Sequence, residues 1–142
     1  MDYSYIIIPI IVLITSQALK LATDGIRGNF DLQHLFISYG GFPSAHTAFS
    51  VSITTLVGLR FGIDAPLFAI TLVFTLLVMR DAVAFRNIMG KQARVCNSLR
   101  ETLPESKKNN IPRLRERMGH SLLEVSAGAV WGIAITYFLN LL

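Results

Sequence analysis

Four stretches of this 142-residue chain are apolar and long enough to cross a lipid bilayer, which constrains its fold more than any motif does. A hydrocarbon core of about 30 Å takes roughly 17–25 residues of helix. The stretches run approximately over residues 3–21, 45–61, 65–79 (with a polar extension to about Gly90) and 122–142. The third is short unless its Arg80–Asp81 end turns inward. The first does not read as a signal peptide. Asp2 precedes it, no basic n-region exists, and Gln17 and Lys20 follow without a small-residue cleavage site. Apolar residues make up 52% of the chain, high for a soluble protein of this length. The expected architecture is therefore all-α, an integral membrane bundle of about four transmembrane helices. The length leaves room for a single domain over 1–142. The lone Cys96 excludes an intrachain disulfide and offers no second thiolate for a metal. Residues 91–117 form the only sizeable hydrophilic stretch, expected to be a solvated loop on anionic headgroups with a turn at Asn109-Asn110-Ile111-Pro112.

The charges are one-sided. With four spans, the loops after the first and third share a membrane face, and twelve of the thirteen lysines and arginines fall there. Only Arg60 lies on the other face, with Asp2 and Asp64. The positive-inside rule makes the basic face cytoplasmic and places both termini outside. An inner (cell) membrane protein with its polar site at the cytoplasmic interface is the expectation.

On that topology the unusual residues converge. Lys20 ends the first span and Gly40-Gly41-Phe42-Pro43-Ser44-Ala45-His46 opens the second. Asp81 and Arg86 end the third, and Gly119-His120-Ser121-Leu122-Leu123-Glu124 opens the fourth. Ionisable groups are costly at a bilayer edge, so such a cluster is a candidate site. Phosphoryl transfer needs cations to hold the equatorial oxygens, a nucleophile, and an acid for the leaving oxygen. Lys20, Arg86 and Arg27 can supply the cations, Arg as a planar fork and Lys as a point charge. Ser44 suits the N-cap of the second helix, where free N–H groups and the helix dipole favour an anion. Glu124, four residues after His120, shares its face on a helix. It can hold one imidazole nitrogen while the other keeps its lone pair.

These residues resemble a known family. Pro43-Ser44-Ala45-His46 is similar to the Pro-Ser-Gly-His motif of the type 2 phosphatidic acid phosphatase superfamily, which includes the vanadium haloperoxidases. The chain as a whole resembles that superfamily's small divergent membrane branch. The match runs through residues 17–20, 40–46, 78–93 and 119–125, about four fifths of the chain in one order. The resemblance implies that His120 is the nucleophile, Glu124 its orienting acid and His46 the general acid. It implies that Lys20 contacts phosphate, with Ser44 and nearby backbone N–H groups completing the cradle. Three positions depart from the superfamily pattern. Gly28 stands where proline follows Arg27, Leu114 stands where an arginine precedes the nucleophile, and Glu124 replaces aspartate. Arg86, oriented by Asp81, is the favoured substitute for the missing arginine.

Plainer roles compete. Taken alone, His46 could cap a helix at the interface, His120 with Glu124 could be a helix-start ion pair, and Asp81–Arg86 could join helix ends. Arg27 could be a solvated loop charge. Gly128 and Gly132 read as a small-xxx-small packing face. His46, His120, Asp81 and Glu124 could ligate a divalent ion, but the neighbouring Lys and Arg repel a cation and attract a phosphate. A metal-independent lipid phosphatase without cofactors is thus expected. Its partners are the bilayer and a lipid phosphate (phosphatidylglycerophosphate, phosphatidic acid or polyprenyl phosphate). No nucleic acid is expected. A homodimer would add buried surface, though no residue demonstrates one. The rival is a lipid-phosphate binder or transporter without turnover.

Overall fold

The computed structural model describes residues 3–25, 41–116 and 118–142. Arg27, Gly40 and Arg117 lie outside them. The described residues are all-α: α1 (Ser4–Gly25), α2 (Ala45–Phe61), α3 (Pro66–Arg80), a π-helical segment (Asp81–Phe85), α4 (Arg86–Glu101), the single turn α5 (Glu105–Lys108) and α6 (Leu122–Asn140). Helices satisfy every backbone group within one segment, which is what a bilayer demands of a lone span.

Three helices are long and apolar enough to cross a membrane: residues 4–23, the run from Pro66 through the π segment to Glu101, and Leu122–Asn140. The expected second span is α2, at 17 residues about 25 Å long. It is the hub of the bundle, packed against α6, α3 and α1. Its interior positions are small and polar: Thr47, Ala48, Ser50, Ser52 and Thr54 are all buried. Lipid is as apolar as leucine, so helices in a bilayer associate through close packing and hydroxyl bonds. Thr136 donates to Ser52 Oγ at 2.6 Å, Thr75 donates to the Ser50 carbonyl at 2.9 Å, and the Thr54 and Thr75 hydroxyls meet at 2.9 Å. Bonds of this kind contribute about 0.6 kcal/mol each. The expected glycine face closes the α2–α6 seam. A Cβ on Gly128 would collide with the Ser44 carbonyl, and one on Gly132 would lie 2.5 Å from the Ala48 carbonyl.

Two expectations need correcting. The helix of the third span does not stop at the expected extension near Gly90, because helical winding runs unbroken for 36 residues to Glu101. The stretch over 91–117 is accordingly no simple loop, since its first eleven residues belong to α4. The reason is periodicity. Gly90, Ala93 and Asn97 recur on one face and are buried against the returning chain. A Cβ on Gly90 would lie 2.5 Å from the Glu116 carbonyl, while Asn97 exchanges hydrogen bonds with the backbone of Leu114 at 2.8 and 2.9 Å. The turn after α5 is present: Asn110 and Ile111 donate to the Lys107 and Lys108 carbonyls. Cys96 is exposed on α4.

Candidate active site

Ser121 caps α6. Its hydroxyl accepts the Glu124 N–H at 3.2 Å, and Glu124 Oε2 accepts the Ser121 N–H at 3.0 Å. This capping box is worth about 1 kcal/mol to the helix start. The same carboxylate oxygen lies 3.0 Å from His120 Nδ1. His120 is not on the helix, as a shared helical face would require. It sits one residue before the cap, and the box swings Glu124 back to meet it. The helix-start role and the orienting role are therefore one arrangement. A carboxylate facing Nδ1 keeps the proton there and leaves the lone pair on Nε2.

The His120 side chain is 5% exposed. Burial holds its pKa below the ordinary histidine value, assisted by the positive charges of Lys20 and Arg86 and opposed by Glu124. The imidazole is thereby kept neutral at neutral pH.

His46 occupies the first turn of α2, exposed, two residues after the N-cap position held by Ser44. It lies within electrostatic reach of Arg86, His120, Lys20 and Asp81. Residues from both ends of the sequence thus meet in one cluster: Lys20 from α1, His46 from α2, Asp81 and Arg86 flanking the π segment, and His120 with Glu124 before and within α6. Arg86 Nε donates to Asp81 Oδ2 at 2.9 Å across that segment. Arg27, the remaining candidate cation, is outside the described residues.

Ser44 stands at the N-cap position but does not cap with its side chain. It is fully buried, its hydroxyl lies 2.9 Å from Thr47 Oγ1, and its N–H donates to the Glu124 carbonyl at 3.0 Å. That last bond ties the start of the His46 helix to the start of the His120 helix. The preceding Phe42–Pro43 peptide is cis, Gly41 has φ 103°, and the Phe42 carbonyl accepts from Thr23 Oγ1 at 2.8 Å.

Sequence reasoning missed three features. The His120 N–H donates to the Ala82 carbonyl at 3.0 Å, and Asn87 Nδ2 donates to the His120 carbonyl at 3.2 Å. An alanine carbonyl carries no sequence signal, and an asparagine inside a helix announces only a weak helix former. The third is an apolar groove of about 370 Å³ between α1 and α6, lined by Leu19, Phe42, Pro43, Leu123, Val130 and Trp131 among others. Two of its lining residues, Leu19 and Leu123, are the chain neighbours of Lys20 and Glu124. Trp131 Nε1 donates to Thr15 Oγ1 at 3.3 Å along its wall. Among the described residues, no three His, Cys, Asp or Glu side chains group closely enough to hold a metal ion.

With this geometry in view, the comparisons are decisive about kinship. The family described as the divergent PAP2 family matches residues 1–135. The chain belongs to the divergent PAP2 family. It is also 34% identical over 116 residues to the uncharacterized membrane protein YuiD of Bacillus subtilis (strain 168), covering 74% of this chain and 73% of that one. No solved structure matches it. This divergent PAP2 protein is an integral membrane protein, and its two histidine blocks both fall inside the matched region.

Proposed function

We propose that the protein is a metal-independent phosphatase acting on the phosphomonoester or diphosphate headgroup of a membrane lipid, through a phosphohistidine. The observation that carries this reading is the His120–Glu124 pair, within electrostatic reach of a second histidine and two cations, with the chain neighbours of Lys20 and Glu124 lining an apolar groove. Phosphatidylglycerophosphate, phosphatidic acid and polyprenyl phosphate all fit that description.

In the proposed reaction the lipid tail lies in the α1–α6 groove and the phosphate meets Lys20 and Arg86. The Nε2 lone pair of His120 attacks phosphorus, the phosphorus–oxygen bond to the lipid breaks, and His46 protonates the leaving oxygen. Glu124 stabilises the positive imidazole that results. Water, deprotonated by His46, then attacks phosphorus, the phosphorus–nitrogen bond breaks, and inorganic phosphate leaves. Lys20 and Arg86 oppose the charge that builds on the equatorial oxygens. Arg27 is assigned to the same phosphate through its motif spacing. Ser44 is fully buried, so we assign it to positioning His46. The surplus of cations suits an anion better than a divalent metal. The one-sided basic residues support a cytoplasmic site in the cell membrane, and a homodimer would enlarge the buried surface of so small a bundle.

The burial of Ser44 away from the cluster's surface favours one rival, a lipid-phosphate binder or transporter without turnover. The deciding experiment is phosphate release by the detergent-purified protein from a panel of lipid phosphates, beside His120→Ala and His46→Ala. We expect release that His120→Ala reduces to background, that His46→Ala lowers by about 10²–10⁴-fold, and that vanadate inhibits without added metal. Binding of lipid phosphate with no release by folded wild-type protein would establish the rival.

A further inference from the structure

The chemistry above leaves the π segment without a task. In a π turn the hydrogen bonds run from residue i to i+5, and here the Arg86 N–H reaches the Asp81 carbonyl. Such turns are rare, appear mostly as single-turn bulges inside α-helices, and are frequent at functional sites. This one lies in the middle of the cluster and makes three connections. Asp81 holds the Arg86 guanidinium at 2.9 Å. The Ala82 carbonyl accepts the His120 N–H at 3.0 Å. Asn87, one residue beyond Arg86, donates from Nδ2 to the Val83 carbonyl at 2.6 Å and to the His120 carbonyl at 3.2 Å.

Asn87 thus spends its amide nitrogen on two carbonyls. The reverse orientation would set its oxygen against both, so the network fixes the amide. The chain before the nucleophile is fitted to it. Gly119 has φ 92°, and a Cβ there would lie 2.9 Å from both the backbone nitrogen and the side-chain oxygen of Asn87. The N–H and C=O of His120 are therefore gripped by Ala82 and Asn87, five residues apart on the element that also carries Arg86.

We propose that Asn87 is a positioning residue: with the Ala82 carbonyl it fixes the main chain of His120 to the π segment, so that nucleophile and phosphate-holding arginine share one rigid mount. This rests on the phosphohistidine reading for its catalytic meaning. A nucleophile displaced by about 1 Å loses on the order of 10²-fold in rate, while the groove and the cations that bind substrate are untouched.

The test uses the full-length protein carrying Asn87→Ala, Asn87→Asp and Asn87→Gln. Asn87→Ala should lower kcat by about 10–100-fold with KM for the lipid phosphate changed by less than about threefold. Asn87→Asp, equal in size but an acceptor facing two acceptors, should be at least as impaired. Asn87→Gln, which keeps the amide, should recover part of the rate and is the variant to read if the others do not fold. A kcat unchanged in folded Asn87→Ala, or KM and kcat altered in equal measure, would overturn the proposal.

A second readout does not depend on turnover. Diethylpyrocarbonate modifies the free imidazole nitrogen, and peptide mass spectrometry locates it at His120. Asn87→Ala should speed modification of His120 and move its pH midpoint toward that of an ordinary histidine. The groups facing His120 would be unaltered in this variant: Glu124 from α6, Lys20 from α1, Arg86 from α4 and His46 from α2. Identical modification of His120 in wild type and Asn87→Ala removes the mount, whatever the lipid assay shows. Wild type that releases no phosphate while its His120 responds to Asn87→Ala sinks the phosphatase reading and keeps the mount.

Discussion

The two ends of the bundle each hold arginine, aromatic and polar side chains, yet they use them differently. At the far end Arg60 donates from Nε to Asn140 Oδ1 at 2.7 Å, and its guanidinium lies 5.7 Å from the centre of the Tyr5 ring, which stacks on Phe61. That arginine joins α1, α2 and α6. At the other end Arg86 is held by Asp81 from its own helix, next to two histidines, Lys20 and Glu124. One arginine ties helices together, whereas the other is held in place from behind. On the proposed reading, the arginine fixed from its own element and surrounded by titratable groups serves the phosphate. The arginine shared between helices serves packing.

Removing each arginine in turn is the sharpest way to break this comparison. If Arg86 stabilises charge on the transferred phosphate, Arg86→Ala should cost about 10²–10³-fold in rate. Arg86→Lys should keep part of it, because the charge survives and the bidentate fork does not. Steady-state kinetics on the best lipid of the panel measures both.

A smaller effect comes from pH. The reactive form of His120 is neutral, and burial lowers its folded pKa below 6.5. Activity should therefore hold as pH falls through 6.5 and drop tenfold per unit only below the folded value, as a pH–rate profile would show. Stability has the same sign. The unfolded chain takes up the proton first, so this contribution is present above the unfolded pKa and is lost as pH falls through the folded one. A profile already falling above pH 6.5 would remove the buried neutral nucleophile.

The smallest effect belongs to the far end. Arg60→Ala should leave kcat within about twofold, while thermal unfolding in detergent registers a loss of about 0.5–1 kcal/mol from the cation–π contact. A large loss of rate in folded Arg60→Ala would erase the distinction between the two ends.

Much of the bundle was legible in the residue order. Long apolar runs and the punctuation at Pro43 placed the helices, and Gly128 with Gly132 announced a packing face on the last one, though not its partner. The continuation into α4 was not legible from hydropathy. Its buried face is made of glycine, alanine and asparagine, which read as polar loop until a packed partner chain is seen. The polar members of the candidate site were legible for a simple reason: ionisable residues at span ends are costly and stand out. Asn87 and the Ala82 carbonyl were not, because one is an ordinary helix-surface residue and the other is backbone.

Sequence by itself determined that this chain lives in a membrane, that it is helical, and which few side chains could do chemistry. Those outcomes follow from residue-by-residue transfer free energies and local spacing. Only the tertiary structure decided that His120 stands outside its helix, that the Ser44 N–H is bonded to the Glu124 carbonyl, and that the π segment accepts the backbone N–H of His120. Each depends on hydrogen bonds between backbone groups distant in the chain, and every residue carries the same backbone groups whatever its side chain.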